Sequence, residues 1–281
     1  MFPSHLYCPS WPPRPSRAPL LLCQICKEWR IIAINTPELW ETLDVIMEHN
    51  IRIDFRVELI HLWIQCSGAR PFNFNLWFRQ SSGGIDDGKF PFLEHSLPVI
   101  EALLEAHGRW RNVIFDVIAI REHKGGDTIL EEEEALLDWG CAPFRHYNQL
   151  EYFQISAVPA VACALNCLLG IYPWNTPTLH GLYYHYQQIE PIRTPPIDFA
   201  YTLLTRISFD VFGSLDISFG TLSLCKELTE CTIDLSMLDT ETDDIVPMDP
   251  PIMLPVLHTL GLLSYAGFEG ILQRLTLTGP T

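Results

Sequence analysis

The sequence predicts an α/β fold in which one short strand recurs along most of the chain, each strand parallel to the last. Three observations predict it. From residue 110 onward, a template of apolar, two any, apolar, one any, apolar returns again and again. Its steps match the length of one strand plus one return segment. Ahead of it, apolar residues fall instead at helical spacing, with Pro and Gly marking the stops.

The chain opens on Met1 to Pro19, which holds Pro3, Pro9, Pro12, Pro13, Pro15 and Pro19. Proline cannot propagate a helix, so this segment is expected to be extended or disordered. It has no 7-to-15-residue apolar core, so it does not read as a signal peptide. Next, Leu21, Leu22, Ile25, Cys26, Trp29, Ile32 and Ala33 make one helical face, with Gln24, Lys27, Glu28 and Arg30 off it. Pro37 ends this helix at Asn35-Thr36. Thr36 is then expected to cap a new short helix with Pro37 at its first position, carrying Leu39 and Trp40 inward. The pattern predicts a buried face and a buried Trp29.

Ile25, Cys26, Lys27, Trp29, Arg30, Thr36, Pro37, Leu39 and Trp40 together resemble the second half of an F-box, in the form common in basidiomycete fungi. The resemblance covers residues 20 to 40. It implies a substrate-recognition subunit of an SCF-type cullin-RING ubiquitin ligase, cytoplasmic or nuclear, held through a Skp-type adaptor. Carried onto this chain, the adaptor contacts would be Leu22, Ile25, Cys26, Trp29, Arg30, Pro37, Leu39 and Trp40. The sequence departs from the family at its start, where a Leu-Pro-x-Glu-hydrophobic helix normally stands and the Pro-rich segment stands instead. Adaptor binding is accordingly expected to be weak or absent, and a truncated gene product is one reading of the segment.

Residues 49–109 read as a helix-strand-helix junction. Ile53, Val57, Ile60, Leu62, Trp63 and Ile64 mark a helix that Gly68 stops. Phe72, Phe74 and Leu76 alternate as a strand. Leu97 to His107 is helical, with Pro98 near its first turn. The order of these elements also fits the same fungal proteins.

Residues 110–281 carry the recurring template: Trp110-Val113-Phe115, Leu150-Phe153-Ile155, Leu179-Leu182-Tyr184, Leu204-Ile207-Phe209, Leu228-Cys231-Ile233, Leu257-Leu260-Leu262 and Leu272-Leu275-Leu277. The steps from 150 to 257 are 29, 25, 24 and 29 residues, inside the range of leucine-rich repeats. The expected architecture is an irregular leucine-rich-repeat-like solenoid of parallel strands, preceded by a short helical F-box-like segment over 20–48. Stretches 160–169 and 214–226 read as return helices. The Asn or Cys that usually follows the third core position is absent, so the turns must satisfy their backbone groups otherwise. The last step is only 15 residues and the strand then runs to Thr281, so the array is expected to lack its C-terminal cap.

Composition narrows the function. Lys plus Arg number 18 against 34 Asp plus Glu, a net charge of −16, which opposes phosphate binding and argues against a nucleic-acid partner. No apolar stretch is long enough to cross a membrane. Nine cysteines, an odd number, several in apolar runs, read as free thiols in a reducing compartment. Cys23-x-x-Cys26 has no second pair to complete a zinc set. The acidic run Glu131 to Glu134 suits a helix N-terminus. The acids from Asp239 to Asp244 fail the calcium-loop pattern. No nucleophile elbow, phosphate loop or zinc-protease motif is present, so neither enzyme activity, metal nor cofactor is expected.

In a parallel strand the residues between core positions face the other side. That places Tyr152, Tyr183, His185, Arg206 and Asp210 on one concave face, a candidate site for a protein substrate because Tyr and Arg make strong anchors. A plain interaction scaffold without the ligase link is the alternative reading.

Overall fold

The structure, a computed structural model, describes residues 19–48, 53–79, 92–118, 145–157, 165, 168–170, 176–186, 200–210, 220, 222–234, 252–263 and 275–276. The expectations for Met1 to Ala18, Glu131 to Glu134 and Asp239 to Asp244, and most of both return helices, fall outside these residues. In chain order the elements are α1 (Leu20–Ile25), α2 (Lys27–Ile34), a 3₁₀ turn (Pro37–Trp40), β1 (Thr42–Glu48), α3 (Ile53–Ser67), β2 (Phe72–Arg79), α4 (Phe92–Leu104), a 3₁₀ turn (His107–Arg109) and β3 (Trp110–Ile118). Then come β4 (Tyr152–Ala157), β5 (Gly181–Tyr186), β6 (Arg206–Asp210), β7 (Glu230–Asp234), β8 (Ile252–Met253), β9 (Thr259–Leu263) and β10 (Leu275–Thr276).

The fold is mixed α/β, with eight strands in one parallel sheet, in the order β1-β2-β3-β4-β5-β6-β7-β9. Six of the seven template copies supply strands to it. The seventh does not: β10 pairs in parallel with β8 in a separate two-stranded sheet. Two further strands precede residue 110. β1 lies inside the span expected to be helical, and β2 inside the span expected to be a separate junction. β1 obeys the recurring template, with Trp40, Leu43 and Val45 all buried. Its continuous apolar run Val45-Ile46-Met47 hides the alternation from a period-2 reading. The parallel sheet therefore begins at Thr42, ahead of residue 110.

The template positions form the core on one face of the sheet. β4 and β7 alternate strictly between buried and half-buried residues. Under β2 to β4 the core is aromatic: Phe74 meets Trp110 at 4.8 Å and Phe115 at 5.4 Å, edge to face, and Phe115 meets Phe153 at 6.3 Å. Tyr147 lies under Trp110 at 5.5 Å and gives its hydroxyl proton to the Leu169 carbonyl. Burial pushes that phenol well above its usual range, so it stays a neutral donor.

At the strand entrances the backbone makes a regular set of cross-links. The Glu151 carbonyl accepts the N–H groups of His180 and Gly181 at 2.9 and 3.0 Å. The His180 carbonyl accepts those of Thr205 and Arg206, the Thr205 carbonyl those of Thr229 and Glu230, and the Thr229 carbonyl those of His258 and Thr259. Each unit thus stitches two amides onto the carbonyl of the unit before it, satisfying the strand entrances without a side-chain ladder. Thr229 reinforces one stitch, its hydroxyl donating to the Thr205 carbonyl at 2.9 Å.

Three local differences from the sequence reading have plain causes. The helix expected over residues 21 to 33 breaks at Cys26, whose backbone is extended (φ −158°, ψ 176°). Thr36 precedes the 3₁₀ turn but does not cap it with its side chain. Its hydroxyl donates back to the Ile32 carbonyl at 2.7 Å instead, closing the end of α2. Helix α4 starts at Phe92, so Pro98 sits in its interior rather than in its first turn. At Gly68, where α3 stops as expected, φ is +58°, a left-handed conformation that costs a Cβ-bearing residue energy.

Candidate functional site

Two surfaces carry the residues that the sequence singles out. The first is the helix pair α1–α2. Its apolar stripe faces outward: Leu21, Ile25, Trp29, Ile31, Ile32 and Ile34 are exposed, with Ile25 at 56% and Trp29 at 45%. The expectation of a buried Trp29 is therefore corrected, and so is that of an inward-facing Leu39, which is exposed. Periodicity identifies an apolar face but not what covers it. Among the other residues onto which the resemblance would carry an adaptor contact, Cys26 and Arg30 are exposed as well, Leu22 and Pro37 are half-buried, and Trp40 is fully buried. Arg30 is held to the preceding helix, its Nε donating to the Cys23 carbonyl at 2.8 Å. Trp40 faces the core, where its ring meets Trp63 of α3 edge-on at 4.9 Å.

The second surface is the sheet face opposite the core. In register, Tyr152, Gly181, Arg206 and Glu230 form one row, and Gln154, Tyr183, Ser208 and Thr232 the next. Tyr152, Tyr183 and Arg206 come together there. The Tyr152 ring lies over Gly181: a Cβ added at that glycine would stand 2.6 Å from Cδ2 of the ring. Gly181 is thus the space that lets the tyrosine lie flat along the sheet. The Tyr152 hydroxyl donates to Oε1 of Gln154 at 3.0 Å. Burial pushes the Tyr152 phenol up to about 12, nearby Tyr183 adds to the rise and Arg206 opposes it. Arg206 pairs across strands with Glu230, Nε to Oε2 at 3.4 Å, with both side chains partly in water. A pair in that setting contributes at most about 1 kcal/mol. His185 and Asp210 occupy β5 and β6, the latter in register with Asp234; their side chains lie outside what the structure describes.

The sequence reading missed the extension of this face across β1 to β3. A register shift between Phe72 and Phe74 sets both Arg111 and Asn112 opposite Asn73. Both donate to its Oδ1, at 3.4 and 2.8 Å. Asn75 donates to Oδ1 of Asp44 at 2.6 Å. The signal was present in Phe72-Asn73-Phe74-Asn75, where each Phe points to the core and each Asn to this face. Ile46 and Trp77 are neighbours on the same face, and Ile46 is only 1% exposed.

Among the described residues no group of three or more His, Cys, Asp or Glu side chains is arranged to hold a metal ion, and no described helix is long and apolar enough to cross a membrane. What the two surfaces offer chemically is contact: an apolar ridge on helices, and a polar and aromatic sheet face. No protein-family model, curated protein or solved structure matches the chain.

Proposed function

We propose that this chain is a non-catalytic recognition subunit of an SCF-type cullin-RING ubiquitin ligase. In this reading α1–α2 receives a Skp-type adaptor, and the strand array is an irregular leucine-rich-repeat-like solenoid whose concave face holds a protein substrate. The observation that carries it is the apolar ridge. Leu21, Ile25, Trp29 and Ile32 stand in water on a helix pair whose sequence resembles half an adaptor-binding motif. Exposed apolar patches of this kind mark interaction sites. The site of action would be the cytoplasm or nucleus. The alternative, an interaction scaffold without a ligase link, is favoured by one specific observation: a Pro-rich segment occupies the place of the first F-box helix.

The test is titration of a purified Skp-type adaptor into the 281-residue protein. Half a motif should give a weak complex, with Kd on the order of micromolar or above. Ile25→Ala with Trp29→Ala should abolish it while leaving the denaturant midpoint nearly unchanged. No detectable complex, or one indifferent to both substitutions, would leave the scaffold reading in its place.

A further inference from the structure

Trp40 and Trp110 are built alike. Both are fully buried. Trp40 closes one 3₁₀ turn and Trp110 follows the other, and each leads into a strand. The Trp40 indole Nε1 donates to the Ala33 carbonyl at 2.7 Å, and the Trp110 indole to the Leu103 carbonyl at 3.1 Å. The spacing is seven residues in both. Each acceptor also receives the backbone N–H three residues on, from Thr36 at 3.3 Å and from Ala106 at 3.0 Å. Both carbonyls lie in the last turn of a helix, where intrahelical donors run out. α2 therefore stands to β1 as α4 stands to β3.

The two helices differ in what else holds them. α4 buries Val99, Ile100, Leu103 and Leu104 in the core, whereas α2 buries only Ala33. With so little apolar contact, α2 depends on the indole bond. Trp40 is itself anchored by Trp63. The turn beside it is tied to the segment before β2 through Arg70, which pairs with Glu41 and, at 3.5 Å, with Glu38. Arg109 continues the chain of ties, donating to the Ser67 hydroxyl and the Arg70 carbonyl at 3.0 Å each.

We infer that Trp40 is a positioning residue that couples the apolar helix pair to the sheet, so that α2 and β1–β3 move as one body. The use of such a coupling rests on the function proposed above: a protein seated on α1–α2 would be held at a fixed angle to whatever lies on the sheet face. The coupling itself is a property of the free chain and is tested there.

The measurement is native-state amide hydrogen exchange of the free 281-residue protein along a denaturant series. In the unaltered protein, protection of the α2 amides Arg30 to Ile34 should disappear together with that of Val45 and Met47, as one cooperative unit. Trp40→Phe keeps a ring and removes the donor. It should speed α2 exchange at least about tenfold and leave β1–β3 unchanged. Trp110→Phe, which makes the same deletion elsewhere, should leave α2 unchanged. The proposal is overturned if α2 exchanges freely in the unaltered protein while β1 is protected, or if Trp40→Phe accelerates α2 and β1 equally. Should that variant not fold, the series on the unaltered protein decides alone. Because no adaptor is present, failure here is separate from failure of the ligase reading.

Discussion

Trp29 and Trp40 belong to one motif and meet opposite fates. Trp40 is 0% exposed, with its indole N–H satisfied and its ring packed edge-on against another tryptophan. Removing it leaves a large cavity and takes from the Ala33 carbonyl one of its two donors. Trp40→Ala should therefore cost about 3–5 kcal/mol in urea melts. Trp29, half in water, should cost less than about 1 kcal/mol on the same change, as surface substitutions do. Equal losses would mean that Trp29 packs against the body in solution. The sequence supports the first expectation and misleads on the second. Leu21, Ile25, Trp29 and Ile32 repeat at helical spacing, which marks a face turned away from water in most helices. Whether a face meets its own chain or another is a tertiary fact that no local pattern holds.

At the scale of elements, the strands were legible wherever apolar residues alternate with polar ones. Phe72 to Leu76 and the template from Leu150 to Leu262 show it. β1 was not legible, because Ile46, buried on the sheet face opposite the core, is apolar and joins its neighbours into an unbroken run. The partner of the last template copy was illegible too: the register of a two-residue strand depends on what lies beside it, not on its own sequence. The sheet face follows from the strands. Tyr183 and Arg206 point away from the core, so replacing both by Ala should leave the midpoint of unfolding nearly intact. If this face holds a protein partner, the pair should weaken binding by about 2 kcal/mol or more, as central anchors do. The comparison arm neutralises the acids Asp239, Glu241, Asp243 and Asp244, which should alter only the salt dependence. Loss of binding from that arm, with the double alanine variant unaffected, would move the partner off the sheet.

For the whole molecule, burial of neutral acids sets the alkaline limit. The thiols of Cys225 and Cys231, ordinarily near 9, are each pushed up to about 12 by burial, and Tyr152 rises from 10 to about 12. The unfolded chain ionises these groups first. Their stabilising contribution is thus complete below about pH 9 and shrinks as pH climbs from there through 12. Denaturant midpoints should be flat between about pH 7 and 8.5 and fall steeply above about pH 9.5. Replacing Cys225 and Cys231 together by Ala should flatten part of that fall. A midpoint that holds to pH 11 would show that the thiols are not buried. In the native protein an alkylating reagent should modify exposed Cys26 and spare these two.

The stitched carbonyls from Glu151 to Thr229 also bear on how the chain is made. From β1 to β7 each strand of the large sheet lies beside the one made just before it, β9 lies beside β7, and every stitch reaches back to a carbonyl already synthesised. Translation delivers roughly 5–20 residues each second, far slower than local pairing. A growing chain can therefore add one finished rung at a time onto its newest edge. Such an edge invites the next strand, or a foreign one if synthesis stalls. Among the described strands of the large sheet, the widest interval falls between Ile118 and Tyr152. A pause there would leave β3, with its alternating Val113, Phe115 and Val117, waiting longest for its neighbour.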